Sequence, residues 1–372
     1  MKVLHIISGL KNGGAEAVLF RIISDKTYNF QHEVISLSDQ GFYGELLLMK
    51  GIKVTTLNIT SPISVFSGFL KLLNLIKLSR PDIVQTWMYH ADILGGIAAK
   101  INGIKKIIWG VHTTFLHPEE TKRATKLAVN ISKYLSYVVP TKIICCSETA
   151  LKSHEKIGYC SSKLMIINNG FDTEVFRPDL KQRNLVRKML SLDDNVFVIG
   201  MIARWHPVKH HEMLMEALKK IKSSNFEWKC LLIGDGMNDE NENLSLLINK
   251  YGLKNYVICM GLRQDMPAVI NALDVHILTS SSESFGNVTA EAMSSCVPCI
   301  MTNVGEASNL LFEVGWIVPI RNSSSLADCI KDVYKESLNL EKWNLQKLNS
   351  RIKIEDNYSI QNMIRSYSIV WS

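Results

Sequence analysis

Short apolar runs alternate with longer segments whose apolar residues recur at helical spacing, and the alternation persists along almost the whole chain. In the first half the runs fall at residues 3–7, 33–36, 83–85, 106–110, 142–146 and 164–167. Runs so short and so apolar predict strands buried on both faces, and the helical segments between them predict parallel pairing through crossovers. After Asp172 comes a charged stretch, 179–188, and then the pattern restarts with runs at 197–202, 229–233, 256–260, 275–278, 299–301 and 316–318. The expected fold class is α/β, with two facing doubly wound Rossmann-like domains around a cleft. Residues 1–180 are expected to form the first domain and 181–352 the second, with the boundary near 180. The last segment, 353–372, has a helical apolar pattern (Ile360, Met363, Ile364, Tyr367, Ile369) and is expected to pack back on the first domain.

Composition narrows the class without naming a chemistry. At 372 residues, 47% hydrophobic and 21% charged, the chain has core enough for two domains and is neither disordered nor fibrous. A net charge of +7 without blocks of Lys or Arg favours anionic small molecules or lipid headgroups over nucleic acid. The eight cysteines lie mostly within apolar runs and read as reduced, buried residues of a cytoplasmic protein. The start, residues 1–8, reads as a strand rather than a signal peptide. The longest uncharged stretch, 54–70, is interrupted by Thr, Ser, Asn and Pro62 and falls short of a bilayer span, so membrane contact is expected to be peripheral, at the inner face.

Three strand ends carry candidate chemistry. The first runs Ser8-Gly9-Leu10-Lys11-Asn12-Gly13-Gly14-Ala15-Glu16 into a helix. Glycines there allow close approach of the backbone to a ligand, and a helix start suits an anion, although an ordinary strand-to-helix turn would look alike. The dinucleotide fingerprint G-x-G-x-x-G is absent, which disfavours a dinucleotide oxidoreductase. The second is Arg204 with Lys209, a planar fork and a point charge suited to a diphosphate, or a solvated surface pair. The third, and most informative, is Glu283-Ser284-Phe285-Gly286-Asn287-Val288-Thr289-Ala290-Glu291. Its loop carboxylate can accept sugar hydroxyls, its helix start suits phosphate, and Glu291 on the helix can hold a ribose.

These segments, taken as a set, resemble the retaining glycosyltransferases of family 4, which have the two-domain GT-B fold. The resemblance rests on Gly-Gly-Ala-Glu at 13–16, Pro81-Asp82-Ile83-Val84 followed by Trp87 and His90, and His112. It continues with Asn169-Gly170-Phe171-Asp172, Arg204 with Pro207 and Lys209, Gly234-Asp235-Gly236, and Glu283 and Glu291 followed by Pro298, in family order over about residues 1–330. The resemblance implies that Arg204 and Lys209 hold the donor diphosphate and Glu291 the ribose. It further implies that Glu283, with the backbone of Phe285, Gly286, Asn287 and Val288, holds the transferred sugar, that Gly14 approaches the phosphate, and that His112 faces the sugar. Two positions depart from the family: His210 stands where Gly often follows the lysine, suggesting a loop set differently, and Val304-Gly305-Glu306-Ala307-Ser308 replaces Gly-Gly-x-x-Glu, which leaves Glu306 out of the site.

The remaining candidates are weighed singly. His112 follows a strand at a catalytic-loop position. His90 opens a helix after Trp87 and either contacts acceptor or caps and packs, while His206, His210 and His211 cluster beside Arg204. Cys296-Val297-Pro298-Cys299 ends a helix rather than starting one and reads as core. No Asp-x-Asp stands at a strand end, so neither metal nor cofactor is called for, and the cations and helix dipoles supply the electrostatics. Lys100, Lys105, Lys106, Lys122, Arg123, Lys126 and Lys133 gather in the first domain. Over 121–139 they interleave with Leu127, Val129, Ile131, Leu135 and Tyr137, a helix that either touches an anionic membrane or packs on the sheet.

The expected activity is transfer of a hexose or N-acetylhexosamine from a nucleotide sugar, UDP-sugar favoured, to a hydroxyl of a glycan, lipid-linked, in O-antigen, capsule or exopolysaccharide assembly. The alternatives are a nucleotide-sugar epimerase or glycosyl phosphorylase on the same fold, and a non-catalytic nucleotide-sugar-binding protein.

Overall fold

A computed structural model describes residues 1–11, 13–113 and 123–372; Asn12 of the glycine-rich loop and, in the basic segment, Thr121 and Lys122 lie outside the described residues. The chain divides into two compact units, Met1–Gly170 together with Ile360–Ser372, and Phe171–Ser359.

The first unit is built on a seven-stranded sheet of β1 (Lys2–Ile7), β2 (Gln31–Ser36), β3 (Lys53–Thr56), β4 (Ile83–Trp87), β5 (Lys106–Val111), β6 (Lys142–Cys145) and β7 (Leu164–Ile166). Its order is β3-β2-β1-β4-β5-β6-β7 and every pairing is parallel. The strand order reverses between β1 and β4, the switch point at which such sheets bind ligands. The expected strands are present, with one addition. β3 contains a single aliphatic residue, Val54, and lies at the sheet edge, where a strand needs no continuous apolar run.

The second unit has a six-stranded sheet of β8 (Phe197–Ile202), β9 (Trp228–Ile233), β10 (Val257–Gly261), β11 (Val275–Leu278), β12 (Cys299–Thr302) and β13 (Trp316–Val318), ordered β10-β9-β8-β11-β12-β13 and again all parallel. The two apolar clusters of this unit take alternate residues of β8: Ile199 and Met201 belong to one, Val198 and Ile202 to the other. That is the period-2 signature of a sheet buried on both faces.

The units divide at 170/171 rather than near 180, because Phe171 is fully buried in the second unit's core, 5.5 Å from the Phe285 ring, and its N–H donates to the Tyr358 carbonyl. The charged stretch after it forms the helix Leu180–Met189, capped by the Asp179 carboxylate and held by Arg183 and Arg187, which both bond Asp274. The final helix is Ile360–Trp371, and its Met363, Tyr367 and Trp371 join the core of the first unit. All eight cysteines are free; five are buried, and Cys259, Cys296 and Cys329 are half-buried. Among the described residues no helix is long and apolar enough to cross a membrane.

Candidate functional site

In a parallel sheet all carboxyl ends share one edge, and each unit collects its candidate residues there. In the second unit the loop after β8 carries Arg204 and Lys209, and the loop after β11 carries Glu283. β8 and β11 are neighbours, so their loops meet: Ser281 N–H donates to the Val208 carbonyl over 2.8 Å, and the Thr279 hydroxyl donates to the Lys209 carbonyl over 2.8 Å. Across this seam Lys209 donates to Oε1 of Glu283, and the Ser280 hydroxyl donates to the same oxygen from 2.6 Å. Both partners are largely buried, with side-chain exposures of 20% and 14%. Arg204 is exposed at the start of its loop.

Two glycines shape the wall behind Glu283. Gly305, after β12, adopts φ +54, and a Cβ there would sit 2.0 Å from the Glu283 carbonyl oxygen, so any side chain would displace that loop. Gly286 adopts φ +89 and is the N-cap of the helix Asn287–Ser294. Such a helix start is suited to phosphate oxygens. Glu291 is half-buried on this helix. Phe285 contributes only backbone, since its ring is 1% exposed and packs between Phe171 and Tyr358. Val288 likewise packs partly on the core, and Asn287 is half-buried.

With φ 47 and ψ 49 His210 takes the left-handed conformation that glycine adopts most easily. His206 caps the short turn before it, its Nδ1 accepting from Val208 N–H. His211 is buried against Trp205, and burial first, then the charges of Lys209 and His210, push its pKa down to about 4. Ser280, Gly305 and Glu306 were not among the expected site residues. Glu306 is 3% exposed and accepts from the Asn309 amide over 2.7 Å, directly beside the glycine that touches the Glu283 loop.

In the first unit the edge gathers Gly14, His90, His112 and Asn169. Gly14 is exposed at the start of the helix Gly14–Ser24, whose N-cap is Gly13. His90 is exposed on the first turn of the helix Tyr89–Ile101. Met88, between β4 and that helix, has φ 72 and ψ 156, a conformation almost confined to glycine. His112 follows β5, and its ring stacks on Trp87 with centroids 5.1 Å apart and planes 22° from parallel. Burial pushes its pKa down to about 4, opposed by the neighbouring Asn169 side chain. At neutral pH the ring is therefore uncharged, able to donate one hydrogen bond and accept another.

The candidate residues thus form two groups, one per unit: Gly14, His90 and His112, and Arg204, Lys209, Glu283, the 285–288 backbone and Glu291. Among the described residues no cluster of three or more His, Cys, Asp or Glu could hold a metal ion.

Comparison with known proteins bears on the family and the fold. The family described as Glycosyltransferase Family 4 matches residues 12–175, and that described as Glycosyl transferases group 1 matches residues 196–336. The chain is 29% identical over 308 residues, 81% of this chain and 77% of the relative, to UDP-Gal:alpha-D-GlcNAc-diphosphoundecaprenol alpha-1,3-galactosyltransferase of Escherichia coli. It is 28% identical over 319 residues, 80% of this chain and 79% of the relative, to the capsular polysaccharide biosynthesis glycosyltransferase CapM of Staphylococcus aureus. The crystal structure of Anabaena HepE in complex with UDP and glucose superposes with a TM-score of 0.87 at 23% identity, covering 100% of this chain and 99% of that one. With both units matched in order and the two parallel sheets in place, the chain belongs to the family 4 glycosyltransferases and has the GT-B fold.

Proposed function

We propose that this glycosyltransferase moves a hexose or N-acetylhexosamine from a UDP-sugar to a hydroxyl of a lipid-linked glycan, with retention at the anomeric carbon, during assembly of a bacterial surface polysaccharide. The carrying observation is the Lys209–Glu283 pair: a cation for a diphosphate and a carboxylate for sugar hydroxyls, meeting at the edge formed by β8 and β11. The E. coli relative uses UDP-Gal and an undecaprenol-linked acceptor by name, and HepE was crystallised with UDP, which supports this choice of donor base and acceptor class.

In this reading Arg204 and Lys209 hold the diphosphate together with the start of the helix Asn287–Ser294, Glu291 holds the ribose, and Gly14 gives the phosphate close backbone approach. Donor phosphate draws Lys209 away from Glu283 and frees that carboxylate to accept from sugar hydroxyls. The acceptor oxygen then bonds to the anomeric carbon as the bond from that carbon to the β-phosphate oxygen breaks. The electron pair stays on the leaving phosphate, which takes the acceptor's hydroxyl proton. The cations stabilise the charge growing on the diphosphate, and no metal is assigned to that task. A neutral His112 can bond a sugar hydroxyl without opposing the positive charge that develops on the sugar ring. His90 is assigned to the acceptor side.

The test is thermal unfolding of the purified protein with UDP, GDP, ADP and NAD, beside Arg204→Ala. UDP should raise the midpoint, because a ligand that binds only the folded state stabilises it, and the variant should lose that rise. A response to NAD alone would overturn the reading. Product analysis with the selected UDP-sugar and a lipid-diphosphate GlcNAc acceptor then reads the anomeric configuration.

A further inference from the structure

The C-terminal helix Ile360–Trp371 belongs to the first unit and is held there by hydrogen bonds and ring contacts. The Trp371 indole N–H donates to the Gln85 side-chain oxygen over 3.3 Å, Lys106 Nζ donates to the Trp371 carbonyl over 3.0 Å, and Gly170 N–H points at the Met363 sulfur from 3.0 Å. Its Tyr367 ring stacks on Trp87, with centroids 5.9 Å apart and planes 21° from parallel. Trp87 in turn carries the stacked ring of His112.

Trp87 cannot rotate freely, because its indole N–H donates to His5 Nδ1 over 3.3 Å. That bond fixes the His5 tautomer, so His5 Nε2 donates to His32 Nδ1 over 3.0 Å. Trp371 packs on both of those rings, 5.6 Å from His5 and 5.4 Å from His32. Gly110 is paired with Trp87 in the sheet, two residues before His112 on the same strand end. The orientation of His112 is therefore set by a ring stack whose far end belongs to the last helix.

We infer that Tyr367, acting through Trp87, is a positioning residue for His112, and that the C-terminal helix is a working part of the catalytic machinery as well as a piece of core. The inference rests on the proposed contact of His112 with the transferred sugar. The Tyr367 hydroxyl is buried with no hydrogen-bond partner among the described residues, so the ring alone carries the effect.

The test compares Tyr367→Ala, Tyr367→Leu and Tyr367→Phe with His112→Ala in the full chain, with UDP release from UDP-glucose and UDP-galactose as the rate and UDP titration as the binding readout. Tyr367→Ala and Tyr367→Leu should lower kcat about tenfold or more, as expected for a misplaced group, while UDP affinity holds within about twofold. Tyr367→Phe should restore kcat to within about twofold of the natural chain. Proton NMR of the histidine rings, with the His112 signal assigned by its loss in His112→Ala, should show that residue titrating near 4 in the natural chain and closer to 6.5 once the stack is opened. The leucine variant, which keeps apolar bulk, serves if the alanine variant does not fold. Natural kcat and an unmoved His112 titration in a folded Tyr367→Leu protein would overturn the inference, as would a phenylalanine variant as impaired as the alanine one. If His112→Ala itself turns over like the natural chain, the reading beneath the inference fails; if only the Tyr367 variants do, the inference fails alone.

Discussion

Lys209 and Glu283, 74 residues apart in sequence, form an ion pair on a single carboxylate oxygen that Ser280 also bonds. The pair exists because β8 and β11, distant along the chain, are neighbours in the sheet. Its two members should separate in function. Glu283→Ala should reduce transfer by about a hundredfold or more while UDP binding stays within about threefold, since the lost carboxylate contacts sugar rather than nucleotide. Lys209→Ala should instead weaken UDP by roughly 10–100-fold, the ~1.5–3 kcal/mol expected of hydrogen bonds to a charged group. Calorimetric titration with UDP beside a transfer assay distinguishes the two, and equal loss of both activities in both variants would contradict the division of roles.

Met88 joins β4 to the following helix in a conformation that a side chain strains, flanked by Trp87 on one side and His90 two residues on. Its N–H donates to the Gly110 carbonyl and its carbonyl accepts from Asp92 N–H, which hold the strained turn in place. Such conformations cost of order 1–3 kcal/mol and persist where surrounding structure over-determines them. Met88→Gly and Met88→Ala both remove the side chain, but only glycine relieves the backbone. In urea unfolding the glycine variant should therefore exceed the alanine variant by about 1–3 kcal/mol. Equal stabilities would mean that the turn stores no strain.

Among the described residues four histidines are buried almost completely: His5, His154, His211 and His276. Burial pushes the last three down to about 4 and His5 well below its usual value, with the charge of His32 adding to the effect at His5. The ordinary histidine value is near 6.5, so between about pH 6.5 and 4 the unfolded chain takes up protons that the native chain refuses. Each such group adds stability that is complete above pH 6.5 and is lost as pH falls, at about 1.4 kcal/mol per pH unit. Against a total of about 5–15 kcal/mol, four together unfold the protein within a few pH units. The urea midpoint should drop steeply between pH 6.5 and 4.5. His154→Gln, which removes one titrating group, should flatten that slope; a midpoint level across the window would refute the account.

Much of this was legible in the sequence, and what was not has physical reasons. Both sheets could be read because parallel strands buried on two faces are continuous apolar runs, whereas β3, with Val54 as its one aliphatic residue at a sheet edge, leaves no such trace. Lys209 and Glu283 were each visible as chemistry, but their pairing and the part of Ser280 depend on strand order, which local sequence does not encode. Phe285 looked like a ligand neighbour because it sits inside the motif, yet its ring serves the core. Gly305 and Glu306 were hidden for the opposite reason: the motif is altered there, although the close approach of Gly305 to the Glu283 carbonyl requires glycine. The stack from Tyr367 to His112 joins three separate segments, and in sequence Tyr367 is one more apolar position of an amphipathic helix.

The helix Arg123–Leu135 buries one face and exposes another. Ala128, Val129 and Ser132 are buried, and Leu135 packs partly on the core, so one face does pack inward. The opposite face leaves Leu127 62%, Ile131 40% and Tyr134 69% exposed, with Tyr137 and Val138 exposed just beyond the helix end. Arg123, Lys126 and Lys133 flank that stripe, Lys133 lies over the Tyr134 ring, and the helix contains no acidic residue. The helix Pro62–Ser79, also without an acidic residue, exposes Ile63, Phe66 and Leu70. Apolar residues ringed by cations suit the interface of an anionic bilayer, where each Lys or Arg near the surface contributes about 1 kcal/mol at moderate salt. The protein should therefore float with vesicles of phosphatidylglycerol and much less with vesicles of phosphatidylcholine. Leu127→Asp with Tyr134→Asp should abolish flotation while leaving UDP binding intact, because both side chains are exposed and lie outside the nucleotide group. Raising salt should weaken binding of the natural chain, since the cationic share is screened and the apolar share is not. Flotation indifferent to lipid charge, or unchanged in the double variant, would remove this helix from the membrane and with it the main structural support for a lipid-linked acceptor.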